Sequence, residues 1–94
     1  DRFDLLDNQA SVEHVFELEF AREYFIAAAC DSGCANLDLA LRDENGYLVA
    51  LDDAPDDAPV VKVLPRWSGS FKLTVTMAEC SATPCHYGIS VMAR

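Results

Sequence analysis

The stretch Ser11-Val12-Glu13-His14-Val15-Phe16-Glu17-Leu18-Glu19-Phe20 decides the fold class. Val12, His14, Phe16, Leu18 and Phe20 fall on one side of an extended chain and Glu13, Glu17 and Glu19 on the other, with Val15 the one exception. That is the period of a half-buried strand. The same period recurs at Leu37, Leu39 and Leu41, and at Phe71, Leu73, Val75 and Met77, whose alternates are Lys72, Thr74 and Thr76. Tyr87, Ile89 and Val91 alternate with Gly88, Ser90 and Met92 up to the C-terminus. Tyr24–Cys30 is apolar at every position, which predicts a central strand covered on both faces.

Turn chemistry separates these segments. Asp43-Glu44-Asn45-Gly46 supplies residues suited to positive φ and predicts a hairpin returning along Tyr47–Leu51. Residues 52–59 carry four aspartates and two prolines and read as an exposed loop. Val60–Leu64 follows as a short strand and Pro65–Gly69 as a turn, while Ala78–Pro84 reads as a loop. With Phe3–Leu6 as an extra edge, the count is about seven or eight strands, the pattern of an antiparallel, jelly-roll-like β-sandwich. The 94 residues form one domain, since half that length could not bury a core of its own.

Charge narrows the range of partners. Seven basic residues stand against 16 acidic ones, a net charge of −9, and no two basic residues are adjacent. Such a chain cannot track a phosphate backbone, so nucleic acid is excluded. The longest apolar run, Tyr24–Cys30, is seven residues, far short of a membrane-spanning helix. Four cysteines in so short a chain point to disulfides and an oxidising compartment. A start at Asp1 is what removal of a signal peptide would leave. The expected location is extracellular, at a bacterial cell surface.

Several segments together carry a family resemblance. They are Glu23-Tyr24-Phe25-Ile26, then Asn36-Leu37-Asp38-Leu39-Ala40-Leu41-Arg42-Asp43-Glu44-Asn45-Gly46-Tyr47, then Val61–Pro65 and Ser68-Gly69-Ser70-Phe71-Lys72-Leu73-Thr74-Val75. In this order and spacing the chain resembles the bacterial pre-peptidase C-terminal domain family over most of its length. The resemblance implies a small secreted β-sandwich module appended to an exoenzyme, without catalytic residues of its own. Some relatives are similar to calcium-dependent collagen- or polysaccharide-binding domains. The chain departs from the family pattern in its Cys-x3-Cys and Cys-x4-Cys pairs.

Four cysteines permit three pairings. Turn-forming residues lie between Cys30 and Cys34 and between Cys80 and Cys85, which favours the two local bridges over the alternatives. Loops this short are stabilised by only about 2 kcal/mol on closure, so the bridges are expected to pin loop shape. A tetrathiolate zinc site is the competing reading, but it calls for Cys-x2-Cys knuckles.

Catalysis finds little support. The two histidines are His14, on the apolar side of a strand, and His86, directly after Cys85, and neither sits in a nucleophile or metal motif. The remaining chemistry is acidic. Asp52, Asp53, Asp56 and Asp57 share one loop, with Asp31, Asp38 and Asp43 expected near the same end, and hard oxygen donors of this kind suit Ca2+. The alternative is a solvated, self-repelling loop, since no D-x-D-x-D-G pattern is present. Trp67 reads either as a cap on the core or, with Tyr47 on the same face, as a platform for sugar rings.

Two functional expectations follow. In the first, the chain is a structural subunit that associates with itself outside the cell. Phe3, Leu5 and Leu6 precede the first confident strand, and an extended apolar segment can add to the sheet edge of a neighbouring copy, building an open fibre. In the second, it is an accessory module that binds a polysaccharide or protein substrate for a secreted enzyme.

Overall fold

The computed structural model describes residues 2–81 and 84–93. Eight strands follow one another along the chain: β1 (Arg2–Leu6), β2 (Ser11–Leu18), β3 (Tyr24–Cys30), β4 (Cys34–Arg42), β5 (Leu48–Asp52), β6 (Val60–Val63), β7 (Gly69–Cys80) and β8 (Cys85–Ala93). They form two four-stranded sheets, ordered β1-β8-β3-β6 and β2-β7-β4-β5, here called sheets A and B. All neighbours are antiparallel. The pairs β1–β8, β2–β7, β3–β6 and β4–β5 are nested, as in a long hairpin wound upon itself. This is a jelly-roll sandwich.

The core comes from the alternating positions. Leu37, Leu39 and Leu41 of β4 and Leu73, Val75 and Met77 of β7 are fully buried, and Ile26, Tyr87 and Ile89 face them from sheet A. Side chains of the two inner faces interdigitate, and each strand's other set points outward.

Departures from the sequence expectation lie at strand ends. β2 stops at Leu18, and Phe20 is exposed because the chain turns through Ala21 at φ 62° and the Phe20 amide donates to Ser68 Oγ (2.8 Å). β5 starts at Leu48, and β6 ends at Val63. Ala78–Cys80, expected in a loop, extends β7, where Glu79 and Cys80 pair with Asn36 and Cys34 across register shifts in β4. One extra residue in β4 and then one in β7 offset each other, so the ladder returns to its register and the two strands stay paired to Cys80. Ala82 and Thr83 of the expected 78–84 loop lie outside the described residues.

Two further expectations change. The acidic loop is exposed in its side chains but its backbone is docked, since the carbonyls of Asp56, Asp57 and Pro59 accept from the amides of Leu37, Cys30 and Ala28. Pro59 is fully buried. β3 is central in sheet A, yet no third layer covers its outer side, where Ala29 is exposed.

Candidate functional site

Sheet A turns an unusual face to solvent. The buried alternates of its strands leave Phe25, Ala27 and Ala29 of β3, His86, Gly88, Ser90 and Met92 of β8, and Val60 and Lys62 of β6 pointing outward. Phe3 and Leu5 join them, because they pair with Gly88 and His86. None of the 16 acidic residues occupies an outward position on these strands. Small residues in the middle of two central strands are unfavourable for the sheet itself and mark a place where another group approaches closely. Here they floor a trough of about 440 Å3, lined by Ala27, Ala29, Gly88 and Ser90 and bounded by Phe3 and His86. Phe3 is 81% exposed, and its ring lies over Gly88, where an added Cβ would stand 2.7 Å from Cε1.

One end of the trough is fixed by the disulfides, Cys30–Cys34 and Cys80–Cys85. Although local in sequence, each bridge joins a strand of sheet A to a strand of sheet B. Asp31 ties the two bridged connections together: its Oδ1 accepts from the Gly33 amide (3.1 Å) and its Oδ2 from the His86 amide (3.0 Å). Ser81 donates from its amide to the Gly33 carbonyl (2.8 Å). The trough therefore stands on a braced end of the sandwich.

At the edge of sheet A beside the trough, β1 is held by its own chain. Phe3, Leu5 and Leu6 lie in a strand paired along its length with β8, and the edge they present outward is open. Arg2 anchors this strand across to sheet B, with its guanidinium 4.4 Å from the Phe16 ring centroid and Nη1 3.2 Å from His14 Nδ1. A guanidinium only donates, so Nδ1 is the acceptor, and the neutral ring carries its proton on Nε2, which donates to Tyr87 Oη (2.9 Å). Burial lowers the His14 pKa, the Arg2 charge lowers it further, and Asp4 opposes both. The unfolded chain therefore takes up this proton first, and the contribution of His14 to stability is full above about pH 6.5 and lost as pH falls through the lowered folded value. The expected result is a melting temperature that drops between pH 7.5 and 5.5, with a smaller drop in His14→Gln, measured by circular dichroism at both pH values.

Two of the predicted calcium ligands are engaged with the backbone. Asp52 Oδ1 and Oδ2 accept from the amides of Ala54 (3.2 Å) and Val60 (2.9 Å), and Asp56 Oδ1 accepts from Ala58 (3.0 Å). Asp43 is spent on its own hairpin. Asp38 stands close enough to Asp53, Asp52 and Asp56 for their charges, after burial, to raise its pKa, and its buried Oδ1 has no partner. Among the described residues no three His, Cys, Asp or Glu side chains are grouped to hold a metal ion. Asp52 and Asp56 direct oxygens to backbone amides, whereas Asp38 Oδ1 does not.

A second concavity, about 310 Å3, lies where β5 meets β6, beside Trp67. The indole stacks on Phe71 with centroids 6.3 Å apart and remains 39% exposed, so it both caps the core and presents a surface. Sequence reasoning singled out Trp67 but had no signal for its neighbours Lys62, Arg66 and Val49, which come from separate strands and a turn.

No protein-family model matches the chain, and no curated protein matches it in sequence. In structure it is similar to the pre-peptidase C-terminal domain of a collagenase from Bacillus anthracis, at 14% identity and a TM-score of 0.56, over 93% of this chain and 91% of that one. Identity this low speaks to the fold, and it agrees with the motifs read along the sequence: this β-sandwich has the fold of a pre-peptidase C-terminal domain.

Proposed function

We propose that the chain is a non-catalytic module of a secreted protein and that it docks through the trough on sheet A onto an extended polypeptide, such as a strand of a fibrous protein. The observation that carries this reading is the small-residue floor between Phe3 and His86, where Asp31 is the one acidic lining residue on a chain of net charge −9. Ala27, Ala29, Gly88 and Ser90 leave room for a backbone to lie against the sheet, and Phe3 offers a ring to pack beside it. Association through such a surface is driven by apolar burial around an aromatic anchor. Two sheet-joining disulfides suit an oxidising, extracellular setting. The likeness to a collagenase's accessory domain makes insoluble collagen the natural first probe.

The test is cosedimentation of the whole chain with insoluble collagen fibres, with cellulose as the comparison. Ala29→Arg places a long cation in the floor at an exposed position, so the fold is retained. Retention on collagen is expected to fall at least about fivefold in this variant while the melting temperature is unchanged, a loss of about 1 kcal/mol of binding. Absence of retention, or retention indifferent to Ala29→Arg, overturns the reading.

Self-association is a second reading, favoured by the open edge of β1 and the exposure of Phe3 and Leu5 on it. It requires concentration-dependent high-mass species in sedimentation velocity that Phe3→Ser removes. Because β1 already pairs with β8, this substitution is a cleaner probe than removal of the strand.

A further inference from the structure

The groove beside Trp67 combines features that no part of the proposed docking trough shares. Its floor is apolar, from Val49 of β5, Pro65 and Phe71, and Trp67 forms one wall. The indole is held from behind by Phe71, at 6.3 Å between centroids and 23° between planes, and is left 39% exposed. The turn that carries it is pinned to the end of β2: the Ala21 amide donates to the Pro65 carbonyl (3.0 Å), and the Phe20 amide donates to Ser68 Oγ (2.8 Å). The ring is thus a fixed platform rather than a mobile side chain.

Charge distinguishes the groove from the rest of the surface. Lys62 and Arg66 line it, two of only seven basic residues in the chain, and among the described residues neither forms an ion pair. An unpaired guanidinium and an unpaired ammonium beside an apolar pocket, on a protein of net charge −9, complement an anion. The anion must also carry an apolar surface for the indole. Glu44 approaches from the other side of the turn, its Oε1 3.3 Å from the position a Cβ on Gly69 would take, with Trp67 Cδ1 3.5 Å from the same point.

We infer that the groove between β5 and β6 binds an acidic sugar, a uronic acid residue of a polysaccharide, with its C–H face on Trp67 and its carboxylate held by Arg66 and Lys62. A pyranose ring supplies the apolar face, the hydroxyls and the single carboxylate together, whereas an acidic peptide supplies charge without a flat C–H surface. The site is separate from the trough, and each can fail without the other.

Trp67 is the chain's single tryptophan, so its fluorescence reports the groove alone. The whole chain is titrated with tetragalacturonate, with cellotetraose as the neutral sugar and tetraglutamate as the acidic peptide. Tetragalacturonate is expected to give a saturable change that weakens in high salt. Arg66→Ala, at an exposed position, is expected to weaken it roughly tenfold, the loss of one charge-assisted hydrogen bond, with the melting temperature unchanged. Cellotetraose is expected to bind more weakly and to be indifferent to Arg66→Ala. The inference is overturned if tetragalacturonate gives no saturable change, if cellotetraose binds equally well, or if Arg66→Ala has no effect. Binding of tetraglutamate as tight as that of the sugar, with the same dependence on Arg66, overturns it in favour of a site for acidic polypeptides.

Discussion

Replacing Phe71 with alanine is expected to lower the unfolding free energy by about 3–5 kcal/mol, the largest effect of any single truncation in the chain. Phe71 is 2% exposed and faces the core from β7, one of the two central strands of sheet B. It pairs in register with Phe16 on β2 and stacks beneath Trp67, so its loss opens a cavity whose walls belong to three separate segments. The strands among those walls are fixed by ladder hydrogen bonds and cannot collapse inward to refill it. A domain of this size is stable by roughly 5–14 kcal/mol in all, so the variant stands at the margin of folding. Urea unfolding is the measurement, with the midpoint shifted and the slope unchanged. A loss below about 1 kcal/mol would mean that the Trp67 and Phe16 side chains repack into the space. If the variant folds, Trp67 loses its support, and its emission is expected to shift to the red.

Asp43→Ala is expected to be the second largest effect, about 2 kcal/mol. Among the described residues Asp43 is the one buried charged side chain, at 4% exposure, and its Oδ1 accepts from the amides of Asn45 (2.9 Å) and Tyr47 (3.0 Å). Its own amide donates to the Tyr47 carbonyl, and the Gly46 amide donates to the Asp43 carbonyl, each at 3.0 Å. The turn closes through Gly46 at φ 88°, a backbone state that favours glycine. With alanine at position 43, two part-buried amides lose the charged acceptor that closes the tight turn, and hydrogen bonds to a charged group contribute more than neutral ones. Asp43→Asn keeps a carbonyl oxygen at the same place and is expected to lose less than half as much. Faster hydrogen exchange at the Asn45 and Tyr47 amides in Asp43→Ala, with the central strands protected as before, would locate the damage. Equal stability of the alanine and asparagine variants would show that the carboxamide oxygen cannot replace the carboxylate.

Both effects arise at positions that sequence reasoning had already placed. Phe71 belongs to the Phe71–Met77 alternation and Asp43 to the hairpin turn, and both follow from the identity of residues close by in the chain. The errors fall where a distant strand decides. Ala78–Cys80 carries no strand alternation of its own and becomes part of β7 because Asn36 and Cys34 of β4 lie alongside across two compensating register shifts. Phe20 continues the alternation of β2 and yet leaves the sheet, because Ser68 captures its amide. The calcium expectation turns on a related point. A run of aspartates shows how many oxygens are available, but whether they turn toward an ion or toward the backbone is settled by the fold, and here Val60, Ala54 and Ala58 supply the amides.

The amino-acid sequence by itself determined the β-sandwich, the β4–β5 hairpin, the two cysteine pairs and the family resemblance. Period-two alternation, turn residues and short cysteine spacings are local properties and are complete within a few residues of chain. Only the tertiary structure decided the nested strand order, the pairing of β1 with β8, and the span of each disulfide from one sheet to the other. The same holds for the Arg2–His14–Tyr87 contact, the trough under Phe3 and the groove at Trp67. Each of these joins residues far apart in the chain, and alternation says which face a side chain takes but not which strand lies beside it. Their formation depends on closing long loops and burying one sheet against the other, a global balance that no local pattern encodes.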